Sequence, residues 1–134
     1  MPERNVQIIL SQMVGTAESG VTVVTNPTLS FGMTFVPSNM SFDVLLMLDS
    51  VSINKEQIKI KSWIESIESQ EIVSNSNIEF EIKGDENDNS HIGSNISRLQ
   101  FINVPFKGVG EYKVRVDVDS QEVEQVFRIY KMVQ

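Results

Sequence analysis

The stretch Glu111-Tyr-Lys-Val-Arg-Val-Asp-Val118 decides the fold class of this sequence. Its apolar side chains, Tyr112, Val114, Val116 and Val118, recur at every second position, and polar side chains fill the positions between them. Because successive side chains of a strand point to opposite faces, this alternation predicts a β-strand with one face in the core and the other in water.

A second alternating stretch follows after the dipeptide Asp119-Ser120, and we predict a β-hairpin at this point. Other alternating or apolar stretches precede it. They span residues 6–13, 21–25, 29–36, 42–51, 58–63, 77–83 and 96–104. Turn signals such as Asn26-Pro27 separate them, and this spacing predicts a sandwich or barrel of about seven to nine strands. Residues 63–73 fit neither period, so a bulged strand and a single helical turn both stay open for them.

The amino-acid composition favours the same fold class. The chain has 17 Val and 14 Ile residues but only 6 Leu and one Ala. Since β-branched side chains lose rotamer freedom in helices and pack well on a pleated surface, this ratio indicates an all-β protein. The length of 134 residues is that of one domain, and we place a single sandwich domain over residues 1–134.

Charge and residue usage exclude several classes of function. The net charge of −7 disfavours binding to nucleic-acid phosphates, and no apolar run is long enough to span a membrane. The absence of cysteine excludes a disulfide framework and thiolate metal sites. No signal peptide is visible, so we expect a cytoplasmic protein that contacts neither nucleic acid nor membrane.

Residues 99–114 resemble the E–F region of immunoglobulin-like domains. The stretch reads Leu99-Gln-Phe101-Ile-Asn103-Val104-Pro-Phe-Lys-Gly108-Val-Gly110-Glu-Tyr112-Lys-Val114. Leu99 matches an inward strand position of that family, Gly110 a position in the turn, and Tyr112 the tyrosine of the corner. The resemblance implies an immunoglobulin-like antiparallel β-sandwich in which the Tyr112 hydroxyl bonds to upstream backbone and Trp63 is the core tryptophan of a third strand.

The sequence departs from the family pattern at two positions. Gly108 stands where the family has aspartate, and Val114 stands where it has the second cysteine, so no disulfide is expected. More loosely, the chain resembles uncharacterised bacterial and phage-associated immunoglobulin-like domains. A fold of this kind does not by itself define a function.

The polar segment Gly84-Asp85-Glu86-Asn87-Asp88-Asn89-Ser90-His91 is the candidate binding element. Asp85, Glu86 and Asp88 concentrate negative charge in a predicted loop, and loops on rigid scaffolds are common binding sites. Alternate oxygen side chains also imitate the start of a calcium loop, and Asp85 and Asp88 would be the ligands of any metal there. The imitation fails at Ser90, where that loop needs glycine, so we predict no metal. His91 is predicted to be an exposed histidine without a role.

We therefore expect a non-catalytic protein-interaction or structural module, such as a bacterial or phage accessory protein, whose partner is another protein. No catalytic constellation is readable in the sequence, and we predict no enzyme activity and no cofactor. The alternative is a small-ligand module that binds calcium or carbohydrate through the 84–95 loop. The oligomeric state is left open.

Overall fold

The computed structural model describes residues 4–52, 57–83 and 92–133, and strands dominate them. Nine strands form in these residues, and no helix does. The strands are β1 (Val6–Thr16), β2 (Thr22–Pro27), β3 (Ser30–Met33), β4 (Ser38–Ser52), β5 (Gln57–Ser66), β6 (Ile78–Lys83), β7 (Ile92–Phe106), β8 (Gly110–Val118) and β9 (Gln121–Lys131). The all-β prediction is confirmed.

The strands form two sheets that pack as a β-sandwich. The four-stranded sheet has the order β2-β1-β4-β7, and the five-stranded sheet has the order β3-β9-β8-β5-β6. Neighbouring strands are antiparallel with one exception, because β3 runs parallel to β9, with Ser30 opposite Arg128 and Met33 opposite Lys131. The predicted antiparallel sandwich thus contains one parallel pair, at this edge.

Alternating side chains build the core between the sheets. The predicted inward face of β8 is confirmed, since Tyr112, Val114, Val116 and Val118 are all buried. β4 is buried on both faces around Val44 and Leu45, as the sequence predicts for a central strand. Aromatic rings pack against one another at one end of the core. They belong to Phe31, Phe42, Phe101, Phe106, Tyr112 and Phe127.

The predicted hairpin is present between β8 and β9. Asp119 and Ser120 both have positive φ values, of 46° and 73°. Two central residues in the left-handed region define a type I′ turn, whose twist matches that of the flanking strands. The hairpin places the side chains of β9 beside those of β8 with a register that runs from Gly110–Ile129 to Val118–Gln121.

The ambiguous segment 63–73 contains a single helical turn rather than a bulged strand, since the Gln70 amide donates to the Ser66 carbonyl four residues earlier over 2.9 Å. β5 continues to Ser66, a turn occupies residues 67–69, and the chain then returns along β5. An isolated bridge joins Glu65 to Ile72, and the Val73 amide donates to the Ile64 carbonyl over 2.7 Å. The return explains the broken period, since the residues lie on two short antiparallel segments.

Trp63 is not the core tryptophan that the resemblance implies. The inward positions of β5 are Ile58, Ile60, Ser62 and Ile64, and all four are buried. Because side chains alternate, Trp63 lies on the outer face of the sheet, where it is half-buried. The indole nitrogen donates to the Glu65 carboxylate over 2.8 Å, and the Arg115 guanidinium lies 5.9 Å from the ring centroid.

Tyr112 makes the upstream bond that the sequence predicts. Its hydroxyl donates to the Gly108 carbonyl over 2.6 Å, and its ring meets the Phe106 ring edge-on at 5.0 Å. Gly110, between them, has a φ of 139°, which side-chain-bearing residues rarely adopt. Burial raises the pKa of the Tyr112 phenol, the bond to Gly108 opposes the rise, and the negative charge of Glu68 adds to it. Leu99, the inward residue of the same motif, is fully buried.

Candidate functional site

An exposed apolar strip runs along the edge of the five-stranded sheet where β3 meets β9. Each of its side chains is between 41% and 98% exposed. The β3–β9 strip consists of Leu29, Phe35, Val126, Tyr130, Met132 and Val133. Scattered apolar side chains on a surface need no explanation, but a contiguous group marks an interaction surface.

Two separate open cavities lie along the strip, and each is lined by some of its members. One, of about 460 Å³, is lined by Phe35, Met132 and Val133 together with Thr34 and Lys131. The other, of about 240 Å³, brings the side chains of Leu29 and Val126 together. The strip is therefore a grooved surface rather than separate exposed residues.

Gly32 lies in β3 between Ser30, which lines the smaller cavity, and Thr34, which lines the larger one. A Cβ atom placed on Gly32 would lie 2.7 Å from Cγ of Met132 and 2.9 Å from Cζ of Tyr130. Since real Cβ contacts are longer than this, the two side chains can lie over β3 only because residue 32 has no side chain. The glycine thus holds Tyr130 and Met132 close to the edge strand.

Charged groups are few along the strip. Arg128 donates to the Glu111 carboxylate over 3.1 Å, and both residues line the smaller cavity. Lys131 lines the larger cavity and makes no ion pair with the residues that the structure describes. One cation without a counter-charge therefore stands at the apolar end of the strip.

The free edge of β3 is partly closed by its own chain. The carbonyls of Leu29 and Met33 accept bonds from β9, so Ser30 and Gly32 direct their backbone groups away from the sheet. The Thr28 hydroxyl hydrogen-bonds to both backbone groups of Ser30. It accepts from the amide over 3.0 Å and donates to the carbonyl over 2.7 Å. Only Gly32 keeps outward backbone groups available in this strand.

Another part of the same sheet surface carries charged residues of β5, β8 and β9 that pair with one another. Lys113 contacts Glu65 at 3.8 Å and Glu124 at 3.2 Å. Arg115 contacts Glu65 at 3.7 Å and also pairs with Glu122. Opposite charges on neighbouring strands stabilise a sheet modestly, and here they cover Trp63. This region is occupied with its own contacts, so the strip is the better candidate surface.

The sequence-predicted site residues Asp85, Glu86 and Asp88 lie outside the described residues, as does His91. The sequence does not reveal the strip because Leu29 and Phe35 alternate in step with Phe31 and Met33 within the single predicted strand 29–36. In the structure Phe31 and Met33 are buried, whereas Leu29 and Phe35 lie beyond the ends of β3. The available signal was the outward position of Val126 and Tyr130 in β9, opposite in face to Phe127 and Ile129.

Two kinds of feature would indicate a function for the described part of the chain, a metal site and a membrane-spanning helix. Residues 4–52, 57–83 and 92–133 bring together no group of three histidine, cysteine or acidic side chains that could hold a metal ion. They also form no helix with the length and apolar character needed to cross a bilayer. Neither the family models nor the curated proteins contain a match to this sequence, and its function is inferred from the geometry.

Proposed function

We propose that this protein is a non-catalytic interaction module that binds another protein through the β3–β9 strip. The observation that carries the proposal is the exposure of six large apolar side chains along one sheet edge, where five of them line two open cavities. Their removal from water on binding would supply the main driving force for association. The surrounding sandwich holds them in place through Gly32 and the parallel β3–β9 pair.

We further propose that the sandwich is immunoglobulin-like. In such domains strands G, F and C are adjacent in one sheet, and strand B pairs with strand E in the other. The orders β9-β8-β5 and β4-β7 correspond to these neighbours, and the Tyr112–Gly108 bond corresponds to the tyrosine corner. Two features differ, because β2 extends the first sheet beyond β1 and the buried position beside Trp63 is filled by Ile64.

The acidic segment of Asp85, Glu86 and Asp88 stays a second proposed contact, for a basic partner. In the chain this segment joins β6 to β7. β6 is the edge strand opposite β3 in the five-stranded sheet, and β7 is the edge strand opposite β2 in the four-stranded sheet. The two surfaces can therefore be tested separately.

Site-specific photo-crosslinking tests the role of the strip. A photoreactive phenylalanine analogue replaces Phe35 in one variant and Val21 in a control, because Val21 is also exposed and apolar but precedes β2 in the other sheet. Both are exposed to a lysate of the source cells. We expect a discrete crosslinked protein from position 35 only.

A second pair of variants checks that the crosslink reflects binding. Phe35→Ser with Met132→Ser removes apolar surface from the strip, and Val21→Ser with Val23→Ser removes a comparable amount elsewhere. The first pair should lower the crosslink yield from a reporter placed at Tyr130, and the second should not. Equal yields from both pairs, with unchanged thermal melts, would overturn the proposed function.

A further inference from the structure

We infer that the partner of the β3–β9 strip is an apolar peptide segment bearing a carboxylate that pairs with Lys131, and that it lies on the face of the sheet rather than extending it. The inference rests on the proposed function and adds the chemistry of the partner.

The carboxylate follows from the charges along the strip. Lys131 shares its cavity with Thr34, Phe35, Met132 and Val133, none of which carries a charge. The acidic residue that lines the neighbouring cavity, Glu111, is already paired with Arg128. A segment that fills the larger cavity with an apolar side chain therefore meets one unpaired cation, and an acidic group beside that side chain is the complementary choice.

The mode of docking follows from the edge of β3. A partner strand that extends a sheet is held by backbone hydrogen bonds to the free edge. β3 has four residues, and Thr28 already occupies both outward backbone groups of Ser30. Gly32 alone cannot hold a strand, so affinity has to come from side chains placed over Tyr130 and Met132.

A second copy of this chain fits the strip less well. In a two-fold dimer the same patch appears on both subunits. Two facing strips would offer neither Lys131 a free carboxylate, because Glu111, the one carboxylate that lines the two cavities, is already paired with Arg128. The partner is therefore a different polypeptide.

A random-peptide library displayed on phage tests the inference. The library is selected on the wild-type protein after depletion on the Phe35→Ser, Met132→Ser variant, which removes binders that do not use the strip. We expect the enriched peptides to combine apolar residues with an excess of Asp and Glu over Lys and Arg. One enriched peptide is then measured by fluorescence anisotropy against variants of the protein.

The charge variants separate the possible outcomes. Lys131→Glu should weaken the enriched peptide by roughly two- to fivefold, as expected for the loss of one exposed ion pair. Lys59→Glu, on the charged part of the same sheet, should leave its affinity unchanged. Enriched peptides without an acidic excess would overturn the inference, and so would an affinity that Lys131→Glu does not alter. In either case a crosslink from position 35 would still support the proposed function.

Two further readouts test the docking mode and the second copy. The amide of Gly32 should keep its hydrogen-exchange rate in the peptide complex, whereas strong new protection there would show strand addition and overturn face docking. Sedimentation velocity over a range of concentrations should show a monomer. A dimer that the Phe35→Ser, Met132→Ser variant dissociates would identify a second copy as the occupant and overturn the inference.

Discussion

The ring of Tyr130 lies against the backbone of Gly32, with Cζ 2.9 Å from the point where a Cβ atom would stand. This contact joins the edge strand β3 to β9 on the outer face of the sheet, beside the backbone pairing of Gly32 with Tyr130. It makes one small residue responsible for the position of two side chains of the strip, Tyr130 and Met132.

Gly32→Ala should therefore disturb the strip and weaken the fold. The added methyl group has to displace Tyr130 and Met132, and because both side chains are partly exposed and can rotate into water, we expect a cost of less than about 1 kcal/mol, below that of overpacking a core. Urea denaturation measures the change in the free energy of unfolding. Gly15→Ala is the matched control, because no atom lies within 4 Å of a Cβ at that position. Equal midpoints for the two variants would contradict the close contact.

Tyr112→Phe should keep the fold and lower its stability. The variant loses the hydrogen bond to the Gly108 carbonyl, and a bond of this kind contributes on the order of 1 kcal/mol. Denaturant melts give the difference, and Tyr130→Phe serves as control because Tyr130 is largely exposed. A midpoint that Tyr112→Phe does not move would show that the corner bond contributes nothing to stability.

The raised pKa of Tyr112 predicts a loss of stability in alkali. Because the folded protein holds this proton more tightly than the unfolded chain, the contribution is complete below the unfolded pKa of about 10 and disappears as the pH rises through the folded value. Absorbance at alkaline pH in the Tyr130→Phe variant follows Tyr112 alone, since the chain has two tyrosines. Titration at the ordinary value in the folded variant would refute the effect of burial.

Ile64→Ala should destabilise the protein more than Trp63→Ala does, although tryptophan is the larger side chain. Ile64 is fully buried in the core, and removal of such a side chain costs about 2–5 kcal/mol. Trp63 lies on the outer face, where its loss removes the contacts with Glu65 and Arg115. Chemical denaturation of both variants gives the order. A larger loss of stability for Trp63→Ala would contradict this order and show that Trp63 contributes more to the stability of the fold than Ile64 does.

The sequence predicts Asp85, Glu86 and Asp88 in a solvated loop, and charges in water contribute little to stability, so their replacement by serine should leave the melting temperature almost unchanged. The same variant should associate more slowly with a basic partner at low salt, and the difference should shrink as salt is added. Stopped-flow measurements at two salt concentrations provide the comparison. Wild-type rates at both concentrations would remove this segment from the proposed binding surfaces.

The strands could be predicted from the sequence because their side chains alternate, as in Glu111–Val118. The face of Trp63 was readable from the same alternation, since Ile58, Ile60 and Ile64 share a parity that Trp63 lacks, but the resemblance to immunoglobulin-like domains placed the tryptophan in the core. The parallel pairing of β3 with β9 could not be predicted from local sequence patterns, because it depends on which distant segments of the chain come together. The strip escaped prediction for the same reason: its members come from separate stretches of chain.

The pairing of Ser30 with Arg128 joins positions that are almost a hundred residues apart in the chain. Closing so long a loop is entropically costly, and contacts of this range form slowly during folding. The strip consists of residues from both sides of that closure, so it does not exist in the unfolded chain. A ligand of the strip therefore binds the native state alone, and its mass action should raise the melting temperature in proportion to the logarithm of its concentration at saturation.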